Sequence, residues 1–306
     1  MPSCTIQKIN PKLYLVALAP PLPGFDRFIG VWVYTGPPAF IVDVGPSATS
    51  ASLLSALENI GVRHLDYILL THIHIDHAGG IADLAASFPE ARIVGHGKGL
   101  PHLTQPERLW QGSLKSLGRT AEAYGAIRGV ASERLLDAAV LDDPSIAIIP
   151  TPGHSPHHIS FALDDLLFAG EAGGVCLAIT PTQTYMRPAT PPRFFLDVTL
   201  TSLDRLIALA PPKIAYSHFG MFTGASTLLR SHRQQLLLWE KVIAQTMAAR
   251  DTNNLSAACM AELGQVDTRL AALKDMDTVE RKREEGFLEN SIRGFIGWLQ
   301  AREDGR

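Results

Sequence analysis

At 306 residues the chain has room for one large domain or two, and 46% hydrophobic against 19% charged residues excludes an intrinsically disordered protein. A formal net charge of −3 gives no global attraction to nucleic acid or an anionic membrane, and no apolar run approaches the roughly 18–20 residues that span a bilayer. Residues 1–12 lack the apolar core of a signal peptide, and Cys4, Cys176 and Cys259 are too few and too scattered for a disulfide framework, so a soluble cytoplasmic protein is expected.

The first predicted elements are strands. Residues 13–16, 29–34 and 40–44 are β-branched and aromatic, and Pro/Gly clusters at 20–24 and 36–38 separate them. A helix over 49–59 closes at Gly61, and the apolar run Tyr67-Ile68-Leu69-Leu70 then reads as a strand. Directly after it comes His72-Ile73-His74-Ile75-Asp76-His77, four metal-ligand side chains within six residues. In an extended segment, alternation puts His72, His74 and Asp76 on one side, while His77 precedes Ala78-Gly79-Gly80, where the chain can turn into a helix over 79–87. Imidazole and carboxylate suit Zn, Fe or Mn better than metals that prefer thiolate.

A short strand at 92–94 follows, and 96–140 reads as an insertion of helical pieces without a clear strand. Strands are expected at 145–149, 158–163 and 166–169, a helix over 191–210 and a strand at 213–216. Three further ligand candidates stand just past strand ends: His154 in Thr151-Pro152-Gly153-His154, Glu171 after Leu166-Leu167-Phe168-Ala169-Gly170, and His218 in Ser217-His218-Phe219-Gly220. Singly each reads as a loop residue; with the first cluster they form a set. From Ala225 onward the chain reads as all helical. Leu288, Ile292, Phe295, Ile296 and Leu299 lie at helical spacing, a stripe expected to pack on the main domain, and the twelve basic and twelve acidic residues between 225 and 306 form no basic patch.

Asp43 in Val42-Asp43-Val44-Gly45, the His72-x-His74-x-Asp76-His77 block, Thr151-Pro152-Gly153-His154-Ser155, Phe168-Ala169-Gly170-Glu171 and Ser217-His218-Phe219-Gly220 together resemble, in order and approximate spacing over about residues 5–222, the metallo-β-lactamase superfamily. The resemblance implies an α/β fold, a four-layer αβ/βα sandwich over residues 1–224, with 225–306 as a C-terminal helical extension packed on it. It also implies two divalent metal ions per chain: zinc, with iron or manganese as alternatives. His72, His74 and His154 would bind the first ion, Asp76, His77 and His218 the second, and Glu171 would bridge them. Asp43 would brace the ligand loop; the simpler reading, a turn residue after a strand, carries less weight.

The function implied is a dinuclear hydrolase that uses a metal-bridging hydroxide on an ester, thioester or lactone bond, with Asp76 as the catalytic proton carrier. The segment Thr151-Pro152-Gly153-His154-Ser155 through Phe161 is similar to that of the glyoxalase II branch. The common bridging residue of the family is Asp, where this chain has Glu171, one methylene longer; nor is it the Cys of some lactamases, which points away from antibiotic hydrolysis. An iron oxygen-binding or oxidoreductase protein of the same fold is the alternative, and a phosphodiesterase or nuclease the next. The expected partner is a small-molecule substrate, with no nucleic acid and no membrane; a homodimer is compatible with this reading. Tyr185 could hydrogen-bond a substrate oxygen, although packing is the simpler role. His157 and His158 read as strand-entry residues more readily than as ligand supports, and His64, His96, His102 and His232 as structural or solvated.

Overall fold

Runs of β-branched and aromatic residues pair in the order in which the chain lays them down. The computed structural model describes residues 4–192, 194–249 and 254–303. In it, strands β1 (Cys4–Lys8), β2 (Leu13–Leu18), β3 (Ile29–Tyr34), β4 (Phe40–Val42), β5 (Tyr67–Leu69), β6 (Arg92–Gly95) and β7 (Leu135–Asp137) form a seven-stranded sheet in sequence order. The β1 to β4 pairings are antiparallel, and those from β4 to β7 are parallel. Parallel neighbours require crossovers. These hold α1 (Ser50–Ile60), then α2 (Ile75–Ala78) and α3 (Ile81–Ser87), then α4 (Pro101–Thr104), α5 (Glu107–Leu117) and α6 (Arg119–Tyr124). Strands β3 and β4 are buried along almost their whole length, as expected of strands covered on both faces. Helix α1 ends where Gly61 adopts φ +90° and its N–H reaches the carbonyls of Leu57 and Glu58.

The structure divides into two compact units. The first comprises Met1–Ile149, Ile159–Asp164 and Ser217–Phe219. It contains the seven-stranded sheet, most of β8 (Ala147–Pro150), and β9 (Ile159–Leu163), whose Ile159 N–H donates to Thr71 O at 2.8 Å.

The second comprises Pro150–His158, Asp165–Tyr216 and Gly220–Arg306. Here β10 (Leu166–Gly170) runs parallel to β13 (Lys213–Tyr216), and β13 runs antiparallel to β14 (Gly220–Thr223). Strands β11 (Val175–Thr180) and β12 (Gln183–Arg187) form a separate hairpin. Four helices complete the unit: α7 (Leu196–Ala208), α8 (Ala225–Ala249), α9 (Leu255–Val266) and α10 (Thr278–Glu303), with a 3-10 turn at Thr268–Asp275 between the last two. Trp239 and Phe295 are fully buried with ring centroids 5.8 Å apart, and Trp239 Nε1 donates to Asp267 Oδ2 at 2.8 Å.

The expected boundary at residue 224 is not where the units part, because α8 and α10 are bonded into the segment before it. Arg187 pairs with Glu284, Gln235 Nε2 donates to Met186 O at 2.8 Å, and Thr190 Oγ1 donates to Ser291 O at 3.0 Å. In the α10 stripe, Leu288, Ile292 and Phe295 are fully buried, but Ile296 and Leu299 are only half-buried, and the buried face continues through Ser291 and Trp298 instead. Two other sequence expectations change. The stretch 96–140 contains a strand, β7, and the helix over 191–210 begins only at Leu196, after the consecutive prolines 191 and 192.

Candidate metal centre

Asp43 organises the ligand loop of the first unit. It follows β4 with φ +60°, is 1% exposed, and turns both carboxylate oxygens inward. Oδ1 accepts the Thr71 N–H at 2.9 Å, and Oδ2 accepts the Ser217 hydroxyl at 2.8 Å and lies 2.9 Å from His77 Nδ1. A carboxylate only accepts, so His77 Nδ1 carries the proton in this pair and its Nε2 keeps a lone pair. Oγ1 of Thr71 lies 3.0 Å from each Asp43 oxygen and 3.1 Å from His72 Nδ1. With the hydroxyl proton given to Asp43, His72 Nδ1–H is the donor to Thr71 and its Nε2 is likewise left as a ligand atom. His74 Nδ1 stands 3.0 Å from that Nε2.

The extended alternation predicted through Asp76 stops two residues earlier. His74 is the last residue before α2, so Asp76 and His77 occupy a helical turn. That turn, and Ser217-His218 in the same unit, bring Asp76, His77 and His218 together with one ligand atom each inside 4.8 Å of the others. His218 Nδ1 donates to Phe28 O at 3.0 Å, and its ring stacks on Phe28 at 4.4 Å between centroids. Asp76 Oδ2 is 3.7 Å from His77 Nε2 and 3.6 Å from His218 Nε2. Two ligands at about 2.0–2.2 Å on a tetrahedral ion are roughly 3.4 Å apart, so these spacings fit a metal without rearrangement. Both histidines also follow the pattern of bonded metal ligands, with one ring nitrogen fixed to an oxygen and the other presented.

The second unit carries the other two ligand candidates. His154 Nδ1 donates to Ala189 O at 2.9 Å, which directs Nε2 to Glu171 Oε2 at 2.8 Å. Gly153, before His154, has φ +151°, and a Cβ there would lie 2.5 Å from Thr199 Oγ1, so the turn demands glycine. Ser202 Oγ on α7 donates to Pro152 O at 2.6 Å, which fixes the same turn. Glu171 follows β10 after Gly170 at φ +59°.

His158, favoured from sequence as a strand-entry residue, is instead the brace of this half. It is fully buried; Nε2 accepts the Glu171 N–H at 3.1 Å, and Nδ1 lies 2.8 Å from Thr151 Oγ1. Its place three residues after Ser155 in the His154 motif was the available signal. The carbonyls of Phe28 and Ala189 carried no such signal, because any residue type provides one. Of the two readings given for His232, structural or solvated, burial favours the first: it is 2% exposed, lines a small cavity with His154 and Glu171, and burial lowers its pKa to about 4. Tyr185 is fully buried beside Glu284, and burial and then that carboxylate raise its phenol well above the ordinary value. This is the environment of a packing side chain. His64 and His102 are exposed, and His96 Nδ1 accepts the Lys98 N–H at 3.1 Å.

A family model described as the metallo-beta-lactamase superfamily matches residues 29–218. The chain is 28% identical over 186 residues to the metallo-beta-lactamase fold-containing protein ST1585 of Sulfurisphaera tokodaii, a match covering 58% of this chain and 69% of that protein. It is 30% identical over 181 residues to the hydroxyacylglutathione hydrolase of Aeromonas hydrophila, covering 58% of this chain and 54% of the relative. The hydroxyacylglutathione hydrolase of Stenotrophomonas maltophilia is 30% identical over 149 residues, 48% of this chain, so the chain spans about half the length of these enzymes. Among solved structures, the metallo-beta-lactamase family protein TTHA1429 from Thermus thermophilus is similar with a TM-score of 0.62 at 20% identity, covering 97% of this chain and 95% of that one. The ST1585 structure gives a TM-score of 0.62 at 23% identity, over 87% of this chain and 99% of that one. These two likenesses show the fold. Among the described residues no helix is long and apolar enough to cross a membrane.

Proposed function

Since the chain belongs to the metallo-beta-lactamase superfamily, we propose that it is a dinuclear metal-dependent hydrolase acting on an ester, thioester or lactone bond of a small molecule. The observation that carries this reading is the Asp76, His77 and His218 set, with its ligand atoms converging and both imidazoles anchored at Nδ1. On the order of the family motifs, His72, His74 and His154 are assigned to one ion, Asp76, His77 and His218 to the other, and Glu171 to both. Zinc is the first choice for a nitrogen and oxygen set, with iron or manganese as alternatives.

Bound divalent ions would acidify a water and polarise the substrate carbonyl. The chain's own groups do the rest. Asp43 holds His77 in the tautomer that presents Nε2, and Thr71 does the same for His72. Asp76 is 18% exposed at its side chain, far enough open to accept the proton of the attacking water and pass it to the leaving group. The hydroxyacylglutathione hydrolases at 30% identity make acyl-glutathione thioesters the first substrates to test.

The deciding experiment is metal analysis of protein purified without added metal, followed by a panel of esters, thioesters, lactones and phosphodiesters. The expected result is about two ions per chain, activity lost on chelation, and cleavage of a carbonyl substrate that Asp76→Asn abolishes while its circular dichroism is unchanged. One ion at saturation, or an Asp76→Asn variant at the wild-type rate, would overturn the reading. Preferential cleavage of phosphodiesters would move it to the nuclease class.

A further inference from the structure

A cavity of about 10 Å³ in the second unit is lined by His154 and Glu171, by Thr190, Thr199 and Ser202, and by His232 of α8. One buried water molecule requires roughly 10–15 Å³ of such space and about two to four polar partners. The partners on this lining are acceptors. Thr190 Oγ1 donates its proton to Ser291 O at 3.0 Å, Thr199 Oγ1 to Phe195 O at 3.0 Å and Ser202 Oγ to Pro152 O at 2.6 Å. Each hydroxyl is left with lone pairs, and Glu171 adds a carboxylate.

The tautomer of His232 is fixed by its neighbours. Gln235 Nε2 donates to Met186 O and to Asp267 Oδ2, both at 2.8 Å, and these oxygens can only accept. The Gln235 amide is thereby oriented, and its Oε1, 3.3 Å from His232 Nδ1, accepts the ring proton. Burial lowers the pKa of the ring to about 4, so at neutral pH it is uncharged and Nε2 carries a lone pair. Nε2 meets no hydrogen-bond partner among the described residues, yet it retains surface that water can reach. The turn that carries Glu171 is also built to admit this ring. Gly174 closes the turn, its N–H donating to Glu171 O at 3.0 Å, and adopts φ +74°. A Cβ there would lie 2.6 Å from His232 Cε1, so glycine is what lets the imidazole approach.

We infer that this cavity binds one water molecule, which donates to His232 Nε2 and to the Glu171 carboxylate and makes His232 a positioning residue for that carboxylate. A water that donates to Nε2 also favours the uncharged ring. The link extends a buried chain, because Asp267 Oδ2 accepts from both Gln235 Nε2 and Trp239 Nε1, and so ties the α8 network to the carboxylate assigned to both ions. The role of His232 rests on that assignment; the water site does not.

The test is a crystal structure of the metal-loaded protein at a resolution that shows ordered water, with metal titrations of His232→Phe, Glu171→Ala and the double variant. One water within hydrogen-bond distance of both His232 Nε2 and a Glu171 oxygen is expected. His232→Phe keeps a flat ring and removes the acceptor, and should weaken metal binding about tenfold, as loss of other ligand supports does. In the Glu171→Ala background the same substitution should change affinity by less than about twofold, because the water then has no carboxylate to hold. Equal losses in both backgrounds would show a merely structural role and overturn the inference. A structure without that water, or with a water that misses Glu171, would also overturn it, and this arm needs only the wild-type protein should His232→Phe fail to fold. Wild-type metal affinity in Glu171→Ala would instead remove Glu171 from the ligand set, and the positioning role with it, even with the water in place.

Discussion

His158 Nε2 accepts the backbone N–H of Glu171 at 3.1 Å, and this bond fixes the protonation of the whole ring. An acceptor nitrogen has no proton, so Nδ1 carries it and donates to Thr151 Oγ1, 2.8 Å away. One neutral imidazole therefore ties the turn that presents His154 to the residue that presents the carboxylate. His158→Leu would leave a buried N–H and a buried hydroxyl without these bonds, a loss of about 2–4 kcal/mol. Metal affinity should fall tenfold or more, as when other supports of metal ligands are removed. Denaturant unfolding and metal titration measure the two effects; unchanged metal affinity would limit His158 to a role in stability.

Asp43→Asn separates charge from shape. Asn tolerates positive φ as Asp does, so the +60° backbone persists. What changes is the group facing His77 Nδ1, Thr71 and Ser217, three residues whose four donors (Thr71 provides its N–H and its hydroxyl) now compete for one amide oxygen. Weaker binding of the ion assigned to Asp76, His77 and His218 is expected, by roughly 10–100-fold, at nearly constant melting temperature. Wild-type affinity in this variant would show that the Asp43 charge does not matter.

The candidate ligands were legible in the sequence because they are local: His72, His74, Asp76 and His77 sit within six residues, and His154 and His218 follow strands with clear apolar patterns. Supports made by backbone carbonyls leave no pattern, which is why the roles of Phe28 and Ala189 emerge only in the folded chain. Strand β1 was missed because four of its five residues are exposed, so no alternation marks it, and β7 because it is three half-buried residues inside a helical stretch. Buried charge was the other blind spot. Arg187 and Glu284 are 97 positions apart, and Glu284 falls in an Arg/Glu-rich run that reads as a solvated helix face.

That pair supports a stability prediction. Glu284 is fully buried; burial alone would raise its pKa, but Arg187 and Arg283 outweigh burial and hold it below the ordinary value. A depressed carboxylate contributes stability above the unfolded value, roughly 4.3, and that contribution is lost as pH falls through the folded value. Glu284→Gln leaves two buried guanidinium groups uncompensated and should cost about 3–5 kcal/mol at pH 7. Denaturant midpoints at neutral pH provide the check, and a loss under about 1 kcal/mol would show that water reaches the arginines. Removing residues 225–306 strips Arg187 of the same partner, so a 1–224 fragment should fail to fold cooperatively.

His232 should shape the acid limb of the stability curve at higher pH. Burial lowers its pKa to about 4, with Gln235 partly opposing, whereas an unfolded histidine titrates near 6.5. As pH falls from about 6.5 to about 4 the unfolded chain takes up the proton first, so stability drops by roughly 3 kcal/mol over that window. His232→Gln should flatten this slope relative to wild type, with both proteins metal-loaded so that acid release of the ion affects each equally. Parallel slopes would mean that the cavity hydrates and the imidazole titrates normally.

Glu171 provides the sharpest test of the ligand assignment. Its Oε2 lies 2.8 Å from His154 Nε2, and both side chains are nearly buried, so the carboxylate has little room to adjust. Glu171→Asp withdraws it by about one C–C bond, roughly 1.5 Å. Metal–oxygen distances tolerate only about 0.2 Å. Backbone adjustment to restore the contact is opposed, because the Glu171 N–H is held by His158 and Gly170 is fixed at φ +59°. Although Asp is the commoner residue of the family here, the substitution should therefore weaken metal binding or change the order of preference among zinc, iron and manganese, and Glu171→Ala should do so more strongly. Competitive metal titrations of the three proteins measure this. Stoichiometry, affinity and selectivity all unchanged in Glu171→Ala would remove Glu171 from the ligand set and leave the ions to the histidines and Asp76.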